Sequence, residues 1–115
     1  MTFITHDGGV WTLREMFPEL KNADIFGRII IGDNVHVGSG SIIMPGVSIG
    51  SNCIIGCGAI VTKDVPDNSV AVGIPARVIE SIDEYKIKNM EKMLPTKGLP
   101  KNEKEKVIKD YFGLQ

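Results

Sequence analysis

From Ile31 to Ile60 the hydrophobic and polar positions recur every six residues. The blocks run Ile31-Gly32-Asp33-Asn34-Val35-His36, Val37-Gly38-Ser39-Gly40-Ser41-Ile42, Ile43-Met44-Pro45-Gly46-Val47-Ser48, Ile49-Gly50-Ser51-Asn52-Cys53-Ile54 and Ile55-Gly56-Cys57-Gly58-Ala59-Ile60. The first position is aliphatic and β-branched in all five blocks, and the register extends more loosely back to Ile25 and on to Val61. The fifth position holds mostly smaller side chains (Val35, Ser41, Val47, Cys53, Ala59), as expected where a wall turns and the interior narrows. The fourth holds only Asn or Gly, the residues that tolerate a left-handed backbone. Each block therefore reads as a short strand and a tight corner. A helical period of 3.6 fails here, and simple alternation does not explain a corner residue at every sixth position. The pattern predicts a mainly β fold, a parallel β-helix with three blocks to a triangular coil.

The five hexads make about two full coils. Coils contact only their neighbours, so two of them bury little apolar volume and leave open strand edges at both ends. Side-by-side packing of three such prisms would cover the surplus. Beyond the repeat, Pro66 and the turn residues around it end the regular coil, and residues 72–79 read as a last strand folded back along it. Ser81-Ile82-Asp83-Glu84 is a capping-box arrangement that opens a helix with Ile87, Met90, Met93 and Leu94 at helical spacing, stopped by Pro95. A second helix starts at Asn102 and carries the stripe Val107, Ile108, Tyr111 and Phe112 up to Gly113, which should dock on the prism or on a neighbour. Lys101, Lys104, Lys106 and Lys109 read as its solvated face. Three segments of one domain result: a histidine-bearing loop segment over 1–24, the β-helix with its closing strand over 25–80, and a helical tail over 81–115.

Composition narrows the function classes. In 115 residues, 13 Lys and Arg against 14 Asp and Glu give a net charge of −1, which offers nothing to nucleic acid or an anionic membrane. No apolar run approaches the roughly 20 residues of a membrane span, and the start of the chain does not resemble a signal peptide, so a cytoplasmic location is expected. Cys53 falls in an inward slot and Cys57 at a corner, so their side chains should diverge, and the spacing lacks the second pair of ligands of a structural zinc site. Ahead of the repeat, Thr5-His6-Asp7-Gly8-Gly9-Val10-Trp11 is polar and glycine-rich around one His and the only Trp, and Leu13 to Ala23 reads as a loop with a short helical stretch. Loops projecting from a rigid scaffold are where sites usually sit.

The aliphatic-Gly hexads, the run from Gly56 to Pro66 and the closing Val72-Gly73-Ile74-Pro75-Ala76-Arg77-Val78-Ile79 resemble the C-terminal half of the hexapeptide-repeat acyltransferases. The Thr5-His6-Asp7 start and the tail with Leu94-Pro95-Thr96-Lys97-Gly98-Leu99 are similar in particular to the O-acetyltransferases of bacterial surface-polysaccharide synthesis. The resemblance implies a left-handed winding, a homotrimer, acetyl-CoA as acyl donor, a sugar acceptor and an active site between subunits. It aligns His6 with the family's catalytic histidine. A hydroxyl is too weak a nucleophile at neutral pH to attack a thioester unaided, and an imidazole, which titrates near neutrality, can remove its proton as attack proceeds, a contribution of roughly 10²–10⁴-fold. Asp7 and Trp11 fall on the acceptor side. As an orienting partner for His6, Asp7 is disfavoured, because adjacent side chains of an extended segment point apart. Trp11 and Phe17 could stack on a sugar ring or pack on a neighbouring subunit.

For the donor, the resemblance implies that the pantetheine arm lies along the groove between coils, bonded to main chain at the corners. Ser39 and the Cys57-Gly58-Ala59 corner fall there, although tight corners need small residues in any case. Thr62 and Lys63 match the segment that reaches the nucleotide, with Lys63 and Arg77 able to face phosphates. Glu80 stands where many relatives have a further basic residue. His36 occupies a sixth position, where relatives often have a bulky aromatic, and reads as an exposed strand residue. Relatives bring several more coils and an acceptor-binding region ahead of the histidine motif, so this chain is short on the acceptor side. Three functions compete: an O-acetyltransferase, with amino-sugar-nucleotide N-acetylation as its nearest relative; a trimeric remnant or scaffold; and a zinc hydratase on the same fold. The last needs three histidine ligands, whereas the sequence has two histidines, so no metal is expected.

Overall fold

The computed structural model describes residues 1–114. The strands are β1 (Thr2–Phe3), β2 (Ile30–Ile31), β3 (Val35–Val37), β4 (Ile42–Ile43), β5 (Ser48–Ile49), β6 (Cys53–Ile55), β7 (Ile60–Val61), β8 (Ser69–Val72) and β9 (Arg77–Ser81). Three helices accompany them: α1 (Val10–Met16) in the loop after β1, then α2 (Ile82–Asn89) and α3 (Lys101–Phe112) after β9. Parallel pairing builds three faces of a prism. The first holds β1, β4 and β7; the second holds β2 and β5, continued by a parallel bridge from Ile49 to Val65; the third holds β3, β6 and β8. Strand β9 then adds to β8 antiparallel, as a closing strand.

The hexad governs the middle of this prism. Val35 pairs with Cys53 and Ile42 with Ile60, eighteen positions apart, which is three blocks to a coil. First-position Ile43, Ile49 and Ile55 and fifth-position Val47, Cys53 and Ala59 are all buried, so one row lines the walls and the smaller row fills the corners. Every fourth-position residue has the left-handed backbone: Asn34, Gly40, Gly46, Asn52 and Gly58 lie between φ 56° and 82°. The amides of Asn34, Asn52 and Asn68 stack: Asn34 Nδ2 donates to Asn52 Oδ1 at 2.9 Å, and Asn52 Nδ2 to Asn68 Oδ1 at 3.3 Å. Second-position Gly has another cause, that of close stacking. A Cβ on Gly38 would lie 2.5 Å from the Cys57 nitrogen in the coil above.

The hexads alone make about two coils, and strands outside them give each face three rungs. Thr2 pairs with Ile42, forty positions on, because the histidine loop is inserted into the first coil. In the third coil Ile54 pairs with Val70, only sixteen on, so the chain there turns more tightly. Carboxylates replace the missing backbone acceptors: Asp64 Oδ1 accepts from Ser48 N at 2.8 Å, and Asp67 Oδ1 from Ser51 N at 2.7 Å. The segment expected to be a loop with a short helical stretch thus begins with a strand, since the β1 edge can pair with β4.

The tail departs from expectation in where it packs. The capping box forms, with Ser81 Oγ accepting from Glu84 N at 3.1 Å, but α2 ends at Asn89 in a short 3-10 turn rather than running to Leu94. Only α2 packs on β8 and β9; α3 makes no substantial contact with any strand. The chain extends over 69 × 27 × 21 Å with a radius of gyration of 20.1 Å, against about 13 Å for a compact chain of this length. The stripe on α3 is therefore not docked on its own prism.

Candidate active site

His6 stands where the inserted loop leaves the prism. Ile4 N donates to Ile43 O at 2.9 Å, the last contact of β1 with the first face, and an antiparallel bridge then joins His6 to Phe26. Gly27 N to Thr5 O at 2.8 Å and Asp7 N to Ile25 O at 2.9 Å complete this neck. The histidine backbone is thus fixed by main-chain bonds on both sides while its side chain remains exposed. Beneath it, a Cβ on Gly27 would lie 2.5 Å from Gly46 N, so the neck sits directly on the corner of the second coil.

Inside the loop two side chains hold the shape. Asp7 Oδ1 accepts from Gly9 N at 2.8 Å, which turns the chain into α1. This engages the Asp7 carboxylate locally. Arg14 Nη1 donates to Ala23 O at 3.2 Å and to Asp24 Oδ1 at 2.9 Å, strapping α1 to the returning segment. Sequence reasoning did not find Arg14 or Asp24. Two opposite charges ten residues apart carry no periodic signal, and only the closed neck brings them together. Trp11 is 62% exposed on α1 and Phe17 39% exposed just after it, so both are available to a ligand or to a second subunit.

The residues assigned to the donor divide between two edges of the prism. Ser39, Cys57, Gly58 and Ala59 lie on the edge between the third and first faces, with Arg77 just beyond it at the start of β9. Gly58 N donates to Ser39 O at 2.9 Å, so the two corners are stacked one on the other. Ala59 is fully buried, with its carbonyl accepting from Ile42 N at 2.8 Å; its methyl faces the core and only main chain reaches the edge. Cys57 is an exposed free thiol and Cys53 a buried one, whose Sγ lies 3.1 Å from Pro66 O. Thr62 and Lys63 lie on the other edge of the first face, between β7 and Val65, exposed and on the same edge as His6. Two rungs separate the tier of His6 from that of Lys63, about 10 Å at the usual strand spacing. His36 points outward from β3, between Val35 and Val37, which are both half-buried. Glu80 is occupied by Lys88, whose Nζ lies 3.2 Å from Oε1.

The first face thus lies between a corner edge of small residues and an edge with an exposed imidazole and an exposed lysine. Among the described residues no group of three or more His, Cys, Asp or Glu side chains could hold a metal ion. Among the described residues no helix is long and apolar enough to cross a membrane.

Residues 28–63 match the family model for the bacterial transferase hexapeptide (six repeats). Protein CapG of Staphylococcus aureus is 50% identical over 96% of this chain, which spans 62% of CapG. A galactoside acetyltransferase solved in complex with coenzyme A is 51% identical over 60% of the chain, with a TM-score of 0.55, and 36% of that protein is covered. A hexapeptide-repeat acetyltransferase of Vibrio cholerae O1 biovar eltor, complexed with acetyl coenzyme A, is 30% identical over 70% of the chain, with a TM-score of 0.57 and 42% of its own length covered. The chain therefore spans less than two thirds of each of these relatives, and the likeness implies that the prism winds left-handed. Its repeat, its corners and these likenesses agree: the chain carries the bacterial transferase hexapeptide repeat over residues 28–63 and is similar to hexapeptide-repeat acetyltransferases.

Proposed function

We propose that this chain serves an acetyl-CoA-dependent O-acetyltransferase that acts on a hydroxyl of a sugar or polysaccharide precursor, with His6 as general base. The observation that carries the reading is the neck. Main-chain bonds fix the His6 backbone on both sides and leave the imidazole exposed at an edge of the first face, which is the placement a base needs for an incoming hydroxyl. In this reading the acceptor oxygen attacks the thioester carbonyl as an imidazole nitrogen takes its proton. The C–S bond then breaks, and the thiolate of coenzyme A leaves with the proton returned by the imidazolium.

The donor lies along the edge of Ser39, Cys57, Gly58 and Ala59, where small residues allow the pantetheine arm close to main chain, and Thr62, Lys63 and Arg77 meet the nucleotide and its phosphates. Thr62 and Lys63 lie on a different edge of the prism from Ser39, Cys57, Gly58, Ala59 and Arg77, which supports a site completed between subunits of a homotrimer; a cytoplasmic location belongs to the same proposal. Asp7 and Trp11 border the acceptor. The division into loop segment, β-helix and tail at 24 and 80 follows the same roles.

A scaffold without useful catalysis is the second reading, favoured by one observation: the Asp7 carboxylate is taken up by Gly9 N. Thermal unfolding with and without acetyl-CoA, together with thiol release over a panel of sugar acceptors, separates the two. The enzyme reading expects protection that grows with ligand concentration and turnover above background with at least one sugar. Absence of protection at any concentration, with no thiol release, would leave the scaffold.

A further inference from the structure

We infer that α3 is a docking arm that lies on the second face of the prism of another copy of this chain. The inference rests on the multi-subunit reading above and names the surfaces that would join the copies.

The arm has one marked side. Lys101, Lys104, Ile108, Tyr111 and Phe112 follow at helical intervals, so two lysines in the first turn and three apolar side chains in the last turns share a side of α3. Tyr111 and Phe112 are 50% and 65% exposed and touch each other edge to face, with ring centroids 4.9 Å apart. No residue of α2 or α3 is buried. The connection between these helices holds α3 away from its own prism. It contains Pro95 and Pro100, with turns closed by Thr96 N to Leu94 O at 2.8 Å and Leu99 N to Thr96 O at 3.1 Å.

The second face has the complementary order. Exposed Ile30 lies on its first rung, Ser48 on the second and Asp64 beside the third, with Asp67 also on the rim. A shallow groove of about 590 Å³ runs along it, over Gly32, Gly50 and Pro66. Its outer rungs are about 10 Å apart at usual strand spacing, and Lys104 to Tyr111 spans about 10 Å of helix at 1.5 Å per residue. Laid along the groove, α3 sets Lys104 against Asp64 while Tyr111 and Phe112 cover Ile30. Net charge runs the same way. Through Leu94, with α2 packed on the prism, the chain carries 8 Lys and Arg against 11 Asp and Glu, and from Pro95 onward 5 against 3. An acidic body and a basic arm suit a second copy of the same chain, in the manner of a helix laid in a groove.

The test uses the full chain, grown in light and in heavy isotope, mixed, and treated with a carbodiimide that joins lysine to carboxylate without a spacer. We expect peptides that link Lys101 or Lys104 to Asp64 or Asp67 as heavy–light pairs. We also expect Tyr111→Glu with Phe112→Glu to weaken association at least tenfold by light scattering, while Lys106→Ala, on the other side of α3, leaves it within twofold. Same-isotope pairs alone would mean that the arm folds back on its own prism, and would overturn the inference. An assembly that survives Tyr111→Glu with Phe112→Glu would overturn it too, with the trimer reading intact. A parent chain that stays monomeric at every concentration would overturn both.

Discussion

Ile49 and Ile87 are the same side chain in opposite circumstances. Ile49, in β5, is 2% exposed between coils, whereas Ile87, in α2, is 70% exposed. Both sit in a regular hydrophobic pattern, and only one pattern finds its partner within the chain. A hexad places its aliphatic residue over the same residue of the next coil, so the repeat carries its own partner eighteen positions away. A helical stripe identifies a side of a helix but not what that side meets. Periodicity therefore specifies packing in the prism and only the capacity for packing in the tail.

The sharpest contrast comes from truncating each isoleucine. Ile49→Ala should cost about 2–5 kcal/mol through a cavity in a small core, and Ile87→Ala less than about 0.5 kcal/mol, as expected at a surface position; chemical denaturation measures both. Equal losses would break the comparison. Next in size are the corners. Asn52 has φ 56° and bonds Asn34 and Asn68, so Asn52→Ala should lose about 2 kcal/mol, through strain of about 1 kcal/mol and lost hydrogen bonds of similar worth. Asn52→Gly keeps the conformation and should lose about half as much. A smaller loss in stability is expected in the histidine loop. Arg14→Ala removes a strap on a partly exposed pair, which should change stability by about 0.5 kcal/mol or less, yet lower turnover about tenfold by loosening His6. Charge exchange between Arg14 and Asp24 should restore part of that turnover. Smallest of all, Glu105→Gln breaks an exposed pair with Lys109, 3.1 Å apart on α3, and should cost about 0.3 kcal/mol.

The same contrast explains what was legible in the sequence. The hexad positions fixed the inward rows, the left-handed corners and the parallel stacking, because each follows from one residue type at one spacing. The capping box at Ser81 and the end of the last helix at Gly113 were legible for the same reason. The outer coils were not. Strand β1 joins the first face across the whole histidine loop, and the third coil is shortened by two residues with Asp64 and Asp67 standing in for backbone acceptors. Neither event leaves a periodic trace. His6 and Lys63 could be chosen as candidates by resemblance, but their common edge depends on the neck between Thr5 and Gly27. The Arg14 strap depends on it as well.

The division of labour proposed for the molecule, with the donor held by the prism and the proton moved by the loop, is tested most directly by one pair of readings on His6→Ala. Calorimetric titration with acetyl-CoA should give an affinity within twofold of the parent, while thiol release to the sugar acceptor should fall at least tenfold, within the 10²–10⁴-fold scale of general-base catalysis. Unchanged turnover would contradict the account by removing His6 as the base. Loss of acetyl-CoA binding in step with turnover would contradict it by placing His6 with the donor.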